Sequence, residues 1–303
     1  MKINQLVAFV QVADVQSLSR AAVAADTAQS LMSRQIALLE TAWGRRLFDR
    51  TGRGMQLTDF GQRMYPEARR ALEQFQQLDT LANEAAGVLS GTVHIGVLPS
   101  LSRQLLPLLL QDMQARAPAL RLHVTEGFSG SLDEQLASGR LDMIVVNRYG
   151  SSALRGEDVL GKLDTYLVGK AGIPALDAQN FAFKDLGSVP LVLPTAPNGL
   201  RTTLDLLSRR HAVSLNIVME VDTGTAMKDV AASGHALTLL PLTAVGSELD
   251  AGVLGAVKLV SPVIKRTIAL SLTRHRQMSE GGRLVASRTR SIASDLLRRP
   301  LNT

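Results

Sequence analysis

Within the stretch DTAQSLMSRQIALLE, residues 26–40, Ser30, Ser33 and Arg34 fall with Ala37 on one side of a short helix, with Gln29 near its start. At about 100° per residue, Met32, Ile36 and Leu39 make an apolar stripe on the other side, and Trp43 continues it. An ordinary solvated face would be crowded with Lys and Glu. This one sets a single long cation among short side chains, so a surface can approach it closely. Its donors and acceptors suit hydrogen bonding to base edges in a DNA major groove, where Arg34 could pair with a guanine or grip a phosphate. Asp26 or Thr27 is the expected cap, leaving the first backbone N–H groups pointing outward.

More groups of the same kind lie close by. Ser19 and Arg20 sit in the preceding segment SLSRAAVAA, and RRLFDRTGRGMQLTDFGQ places Arg50, Thr51 and Arg53 around a TGRG turn between two short extended pieces. Cations on such a wing would hold phosphates or the minor groove and set register.

A second set of candidates lies after residue 91. Ligands of open α/β sheets collect beyond the carboxyl ends of strands, where loops and helix N-termini converge. Those positions hold Ser100, Leu101 and Ser102 in LPSLSR; Ser129, Gly130 and Ser131 in GFSGSL; Asn147 and Arg148 in VNR; Arg201 and Thr202 in NGLRTT; and Thr223 and Thr225 in DTGTA. Hydroxyls, backbone N–H groups and two arginines suit a small anion or polar metabolite. No GxGxxG or GxxxxGKS turn is present, and His94, His123, His211, His235 and His275 show no metal-ligand spacing, so no cofactor or metal is expected. The many serines lack convincing His and carboxylate partners, so no catalytic residue is assigned.

The elements that must position these groups follow from periodicity. Leu6, Phe9, Val10 and Ala13 have helical spacing, and a Ser17 cap opens a compact second helix whose alanines allow close approach to the third. The three make a helix-turn-helix. From a Thr58 cap, a long helical pattern runs to about Ala86, with Met64, Ala68, Ala71, Leu72, Phe75, Leu78, Leu81 and Ala82 as a seam and Pro66 as an expected kink. A seam that long on a connecting helix wants a partner, so pairing with the same helix of a second subunit is expected. GVLSGTV ends it. Beyond, TVHIGVL, LRLHVTEG, LDMIVVN, DTYLVG, PLVLP, LNIVMEVD, ALTLLP and TIALSLT alternate with helical runs, giving an α/β domain with mostly parallel strands.

Composition agrees with two folded units: 303 residues, 46% hydrophobic and 20% charged, with no cysteine and no apolar run long enough for a membrane helix. The amino terminus has no cleavable signal pattern, so the expected location is cytoplasmic, without membrane contact. Residues 1–65 carry +3, residues 66–264 carry −4 and residues 265–303 carry +7. Basic ends around an acidic middle suit a chain whose terminal part meets a polyanion. The basic C-terminal stretch reads as the wet face of a final helix, with Leu284, Ser287 and the segment from Ser291 to Leu297 packing.

LVAFVQVADVQSLSRAA, AQSLMSRQIALLE and LFDRTGRGMQLTDFG, in that order and spacing, resemble the amino-terminal domain of LysR-type transcriptional regulators. Chain length, linker helix and remaining domain fit as well, and IGVLPS, GRLDMIVV and YLVG resemble the nitrogen-assimilation-control branch. One departure is Ala28-Gln29-Ser30, where the family often has Ser-Gln-Pro. The resemblance implies a winged helix-turn-helix over 1–58, a linker and dimerisation helix with hinge over 59–91, and an effector domain over 92–303. It further implies two α/β lobes like those of periplasmic binding proteins, lobe I about 92–163 and 268–303 and lobe II about 164–267, joined near residues 163 and 267 around a cleft. The expected function is ligand-modulated binding of double-stranded DNA by a homodimer, assembled into a homotetramer. The alternatives are a solute-binding module, which should carry an export signal, and an α/β enzyme, each with a helical appendage.

Overall fold

Three short helices open the chain: α1 (Ile3–Val15), α2 (Leu18–Ala24) and α3 (Gln29–Trp43). The computed structural model describes residues 1–51, 54–85, 87–150 and 156–298, and the chain divides into two units at Gly87/Val88. In the first unit, Ser17 Oγ accepts from the Arg20 N–H at 3.3 Å and caps α2. No side chain caps α3: its N-cap is Ala28, whereas Asp26, at φ +47°, sits in the turn before it. The cap expected from Asp26 or Thr27 is therefore absent, and α3 instead ends cleanly at Gly44 in the left-handed region.

Strands β1 (Phe48–Thr51) and β2 (Gly54–Leu57) pair antiparallel into the wing, from Phe48 with Leu57 to Thr51 with Gly54. Helix α4 (Asp59–Ala85) follows, with Thr58 Oγ1 accepting from the Gly61 N–H at 3.0 Å. It runs without interruption through Pro66. The core collects Met32, Ile36 and Leu39 of α3 with Leu6, Phe9, Leu47 and Phe48. The Phe9 ring meets Trp43, Phe48 and Tyr65 edge-on, at centroid distances of 5.6–6.4 Å. Glu40 Oε1 accepts from the Leu47 N–H at 2.7 Å and so fixes the wing to the end of α3.

The second unit runs β3 (Gly91–Val97), α5 (Pro99–Arg116), β4 (Leu120–Glu126), α6 (Ser129–Ala137), β5 (Met143–Tyr149), β6 (Asp158–Asp164), β7 (Tyr166–Lys170), β8 (Phe181–Ala182), β9 (Leu191–Leu193), α7 (Gly199–His211), β10 (Ile217–Glu220), α8 (Gly224–Ser233), β11 (Thr238–Leu240), α9 (Gly246–Asp250), β12 (Leu254–Val260), β13 (Lys265–Leu272) and α10 (Glu280–Arg298). Two sheets define two lobes. One has the order β4-β3-β5-β13-β6; in the other, β11-β7-β12-β8 is joined to β10-β9 by a parallel bridge between Leu191 and Leu237. The chain leaves the first sheet at Thr165 and returns between Val260 and Lys265.

The strands are not mostly parallel. β3 pairs parallel with β4 and β5, and β9 with β10, but β13 runs antiparallel to β5 and β6, and β7 to β11 and β12. The reason is the double crossing: β7 and β13 each enter a lobe directly from the other one, without a helical crossover to turn them parallel. Helix α10 buries Val285, Ala286, Thr289 and Ala293 while Arg288 and Arg290 pair with Asp112 and Asp158. No single described helix is long and apolar enough to cross a membrane.

Candidate functional site

Two surfaces gather the candidate residues. On the first unit, burial of Met32, Ile36 and Leu39 turns Gln29, Ser30, Arg34 and Ala37 outward, with Ser33 half-exposed. None of the side chains of Gln29, Ser30, Ser33 and Arg34 has a hydrogen-bond or ion-pair partner within the described residues, so their donors and acceptors remain available. Ser19 and Arg20 are exposed on α2; Ser19 Oγ lies 3.2 Å from Ser17 Oγ, and Arg20 Nη2 donates to the Val15 carbonyl at 2.5 Å. Arg53 lies outside the described residues, as do the side chains of Arg50 and Thr51.

The second surface is a cleft of about 820 Å³ between the two lobes of the second unit. Besides the short α9, four longer helices start at it, α5 and α6 from one lobe and α7 and α8 from the other, and first-turn residues of each line it: Ser100, Ser129, Gly199 and Thr225. Their unpaired N–H groups and dipoles make the cleft favourable to negative charge. Ser129 Oγ accepts from the Asn147 N–H at 3.0 Å, tying α6 to the end of β5. Asn198 caps α7, its Oδ1 accepting from the Leu200 N–H at 2.9 Å.

Of the sequence candidates, Ser100, Ser129, Gly130, Ser131, Asn147 and Thr225 line this cleft. The others do not. Leu101 is buried in the lobe core, and Ser102 is buried behind the lining, its hydroxyl taken up by Glu126 and the Pro99 carbonyl. Thr202 is exposed outside the cleft on α7, while Thr223 is taken up in capping α8, its Oγ1 accepting from the Ala226 N–H at 3.3 Å.

Neither arginine singled out from the sequence faces the cleft. Strand alternation puts Asn147 and Tyr149 on its wall and Arg148 on the opposite side, where its guanidinium makes paired bonds with Asp133 at 2.7 and 2.8 Å and with Glu157. Burial opposes the charge of Arg148, but Asp133 and Glu157 outweigh it and drive its pKa up. Arg201 is held by Glu220 and by Asp205 at 3.0 Å, and Glu220 is the main cause raising its pKa, against burial. Both are structural ion pairs, because each already has two carboxylates.

Sequence reading missed Arg266, Tyr149 and the Asn198-Gly199 cap, all of which line the cleft. Gly199 passes so close to the Tyr149 ring that a Cβ there would lie 2.9 Å from it, so the ring spans from one lobe to the other. The asparagine before Gly-Leu-Arg was a readable N-cap signal. Nothing in KRTIALSL marked Arg266 as facing a cleft.

Comparison with known proteins places both units in known families. The LysR substrate binding domain family matches residues 86–290, and the bacterial regulatory helix-turn-helix family of lysR type matches residues 3–62. The nitrogen assimilation regulatory protein nac of Escherichia coli K12 is 27% identical over 295 residues, covering 97% of this chain and 96% of that protein. The nac protein of Klebsiella aerogenes is 28% identical over 297 residues, with 97% and 96% covered. Full-length CbnR complexed with its target DNA superposes with a TM-score of 0.69 at 20% identity, covering 96% of this chain and all of that one. A full-length OxyR variant from Pseudomonas aeruginosa gives 0.66 at 24% identity, with 98% and 95% covered. The chain belongs to the LysR family of DNA-binding transcription regulators.

Proposed function

We propose that α3 enters the major groove of operator DNA and that a small polar or anionic effector, bound in the interlobe cleft, modulates this binding. Gln29, Ser30, Ser33 and Arg34 read base edges, and Ser19, Arg20, Arg50, Thr51 and Arg53 hold the backbone. Residues 1–58 form the DNA-binding part, 59–91 pair subunits and 92–303 sense the effector. The single observation that carries the reading is an outward polar face on α3 without internal partners, in the same chain as a two-lobed cleft onto which four helix N-termini open.

Helix α4 supports the pairing. Its 27 residues exceed what its own unit covers, and Phe75 and Leu78 are 49% and 63% exposed on it. A homodimer through α4 covers them, and two such dimers form the tetramer that acts on DNA in the cytoplasm. The protein acts by binding rather than by catalysis. The test is selection of duplexes from a random pool by the purified chain, followed by footprinting. Enrichment of a two-fold symmetric motif with protected half-sites is expected. A pool that stays random after repeated selection rules the operator reading out.

A further inference from the structure

Arg266 stands apart from the other cations of the cleft. It is 4% exposed, lies on β13 where the chain has just returned to the first lobe, and lines the cleft. Its Nη2 donates to Thr165 Oγ1 at 3.3 Å, and the Tyr149 ring centroid lies 5.6 Å from its Cζ. Its Nε has no hydrogen-bond partner. No carboxylate among the described residues pairs with it, whereas Lys228 on the same cleft is held by Glu248 at 2.5 Å. Taking a guanidinium out of water is costly unless a counter-charge meets it. Asn147 Oδ1 and Thr243 Oγ1 are also buried, unpartnered and on the same lining. Three unmet polar groups and four helix N-termini thus share one space.

We propose that Arg266 anchors the effector, and that the effector is a small organic acid with one carboxylate and an uncharged or cationic remainder. This rests on the interlobe-cleft reading and specifies its chemistry. A carboxylate matches the planar guanidinium, which the Tyr149 face holds in orientation. The limit of one anionic group follows from Glu126, Asp222 and Asp250, which line the same cleft and are exposed, while the other cations of the lining, Arg103 and Lys228, are already turned to Glu248, so a second anion would meet like charge. Location gives the anchor its regulatory use. Arg266 and Thr165 stand on the two connections between lobes, so a ligand held there and by the helix N-termini of both lobes favours closure about that pivot.

The experiment is thermal melting of the full-length chain and its Arg266→Gln, Arg266→Lys and Thr225→Trp variants. The probes are phenylacetate, its uncharged match phenylacetamide, and succinate, at constant ionic strength. Phenylacetate should raise the Tm of the parent protein, phenylacetamide should not, and succinate should act more weakly. Arg266→Gln should lose the shift yet melt, without ligand, no lower than the parent, since an unpaired buried charge is gone. Arg266→Lys should keep a reduced shift. The proposal is overturned by an equal phenylacetate shift in Arg266→Gln, or by no shift in the parent. Should the Gln variant fail to fold, equal shifts in Arg266→Lys and the parent overturn it. A shift that survives Arg266→Gln but is lost in Thr225→Trp rejects the anchor and keeps the cleft; one that survives both rejects the cleft as well.

Discussion

At the scale of residues, side chains of the same type divide by whether the fold already answers their charge. Arg148 and Arg201 are paired with two carboxylates each, whereas among the described residues Arg34 is exposed and Arg266 is buried with no carboxylate beside it. Arg34 is the clearest case for DNA. Arg34→Ala should weaken binding to the selected operator by about 1–3 kcal/mol and relax selectivity at one base position, as loss of a bidentate base contact does. Equal weakening on every duplex would make Arg34 a phosphate contact, and unchanged affinity would remove it from the interface. Asp142 belongs to stability instead. Burial pushes its carboxyl pKa up, but the His94 side chain, the His94 backbone N–H at 2.8 Å and Arg276 Nη2 at 2.6 Å win, leaving the pKa below the ordinary value. A depressed folded pKa contributes stability above the unfolded value near 3.9, lost as pH falls through the folded pKa. Asp142→Asn should therefore cost roughly 1–3 kcal/mol at neutral pH, and the gap to the parent in denaturant melts should close under acid. A gap independent of pH would show that shape, not charge, is what Asp142 supplies.

At the scale of elements, sequence periodicity carried most of what could be read, and its failures have physical causes. The first three helices were legible because Phe9, Met32, Ile36 and Leu39 all sit on period-3.6 stripes that the fold buries. Strands β6 and β12 were not, because DVLGKLD and LGAVKLV each mix Gly with charges and bury only scattered positions. Strand direction was illegible for another reason. Whether β13 runs parallel or antiparallel depends on the lobe crossing, which no local pattern encodes. Arg266 was hidden for the same reason: the second of two adjacent cations at a strand start becomes a cleft residue only once two distant connections meet. Contacts can also reverse a propensity rule. Gly61 lies in the first turn of α4, where Ala would ordinarily favour the helix. A Cβ there would sit 2.2 Å from the Leu47 carbonyl oxygen, a backbone atom that cannot swing aside. Gly61→Ala should thus destabilise the DNA-binding unit by about 1–3 kcal/mol, as overpacking does, and weaken operator binding. A neutral or stabilising effect in calorimetry would mean that α4 slides off the wing without loss.

At the scale of the molecule, the effector unit holds its lobes together at the cleft by contacts that a solute can reach. Arg103 on α5 of one lobe reaches Ser247 Oγ at 3.1 Å and Glu248 Oε1 at 3.7 Å on α9 of the other. Glu248 is itself fixed by Lys228, which keeps its carboxylate ionised against the effect of burial. The Arg103 side chain is 70% exposed, so solvent screens this latch and it is worth at most about 1 kcal/mol, or roughly fivefold in the ratio of closed to open lobes. That is small for stability but useful for a switch, since a ligand gains affinity only through the states it prefers. Arg103→Ala should therefore leave the melting temperature nearly unchanged, shift the lobes toward open, and weaken effector binding by no more than about fivefold. Raising salt should bring the parent toward the variant, because an exposed pair is screened over about 10 Å at 0.1 M. The chain has no cysteine, so one introduced pair, a thiol on each lobe, can carry dyes without background. Distances from fluorescence transfer at low salt then decide the matter: identical distributions in parent and Arg103→Ala would mean that the two hinge strands alone set the opening of the cleft.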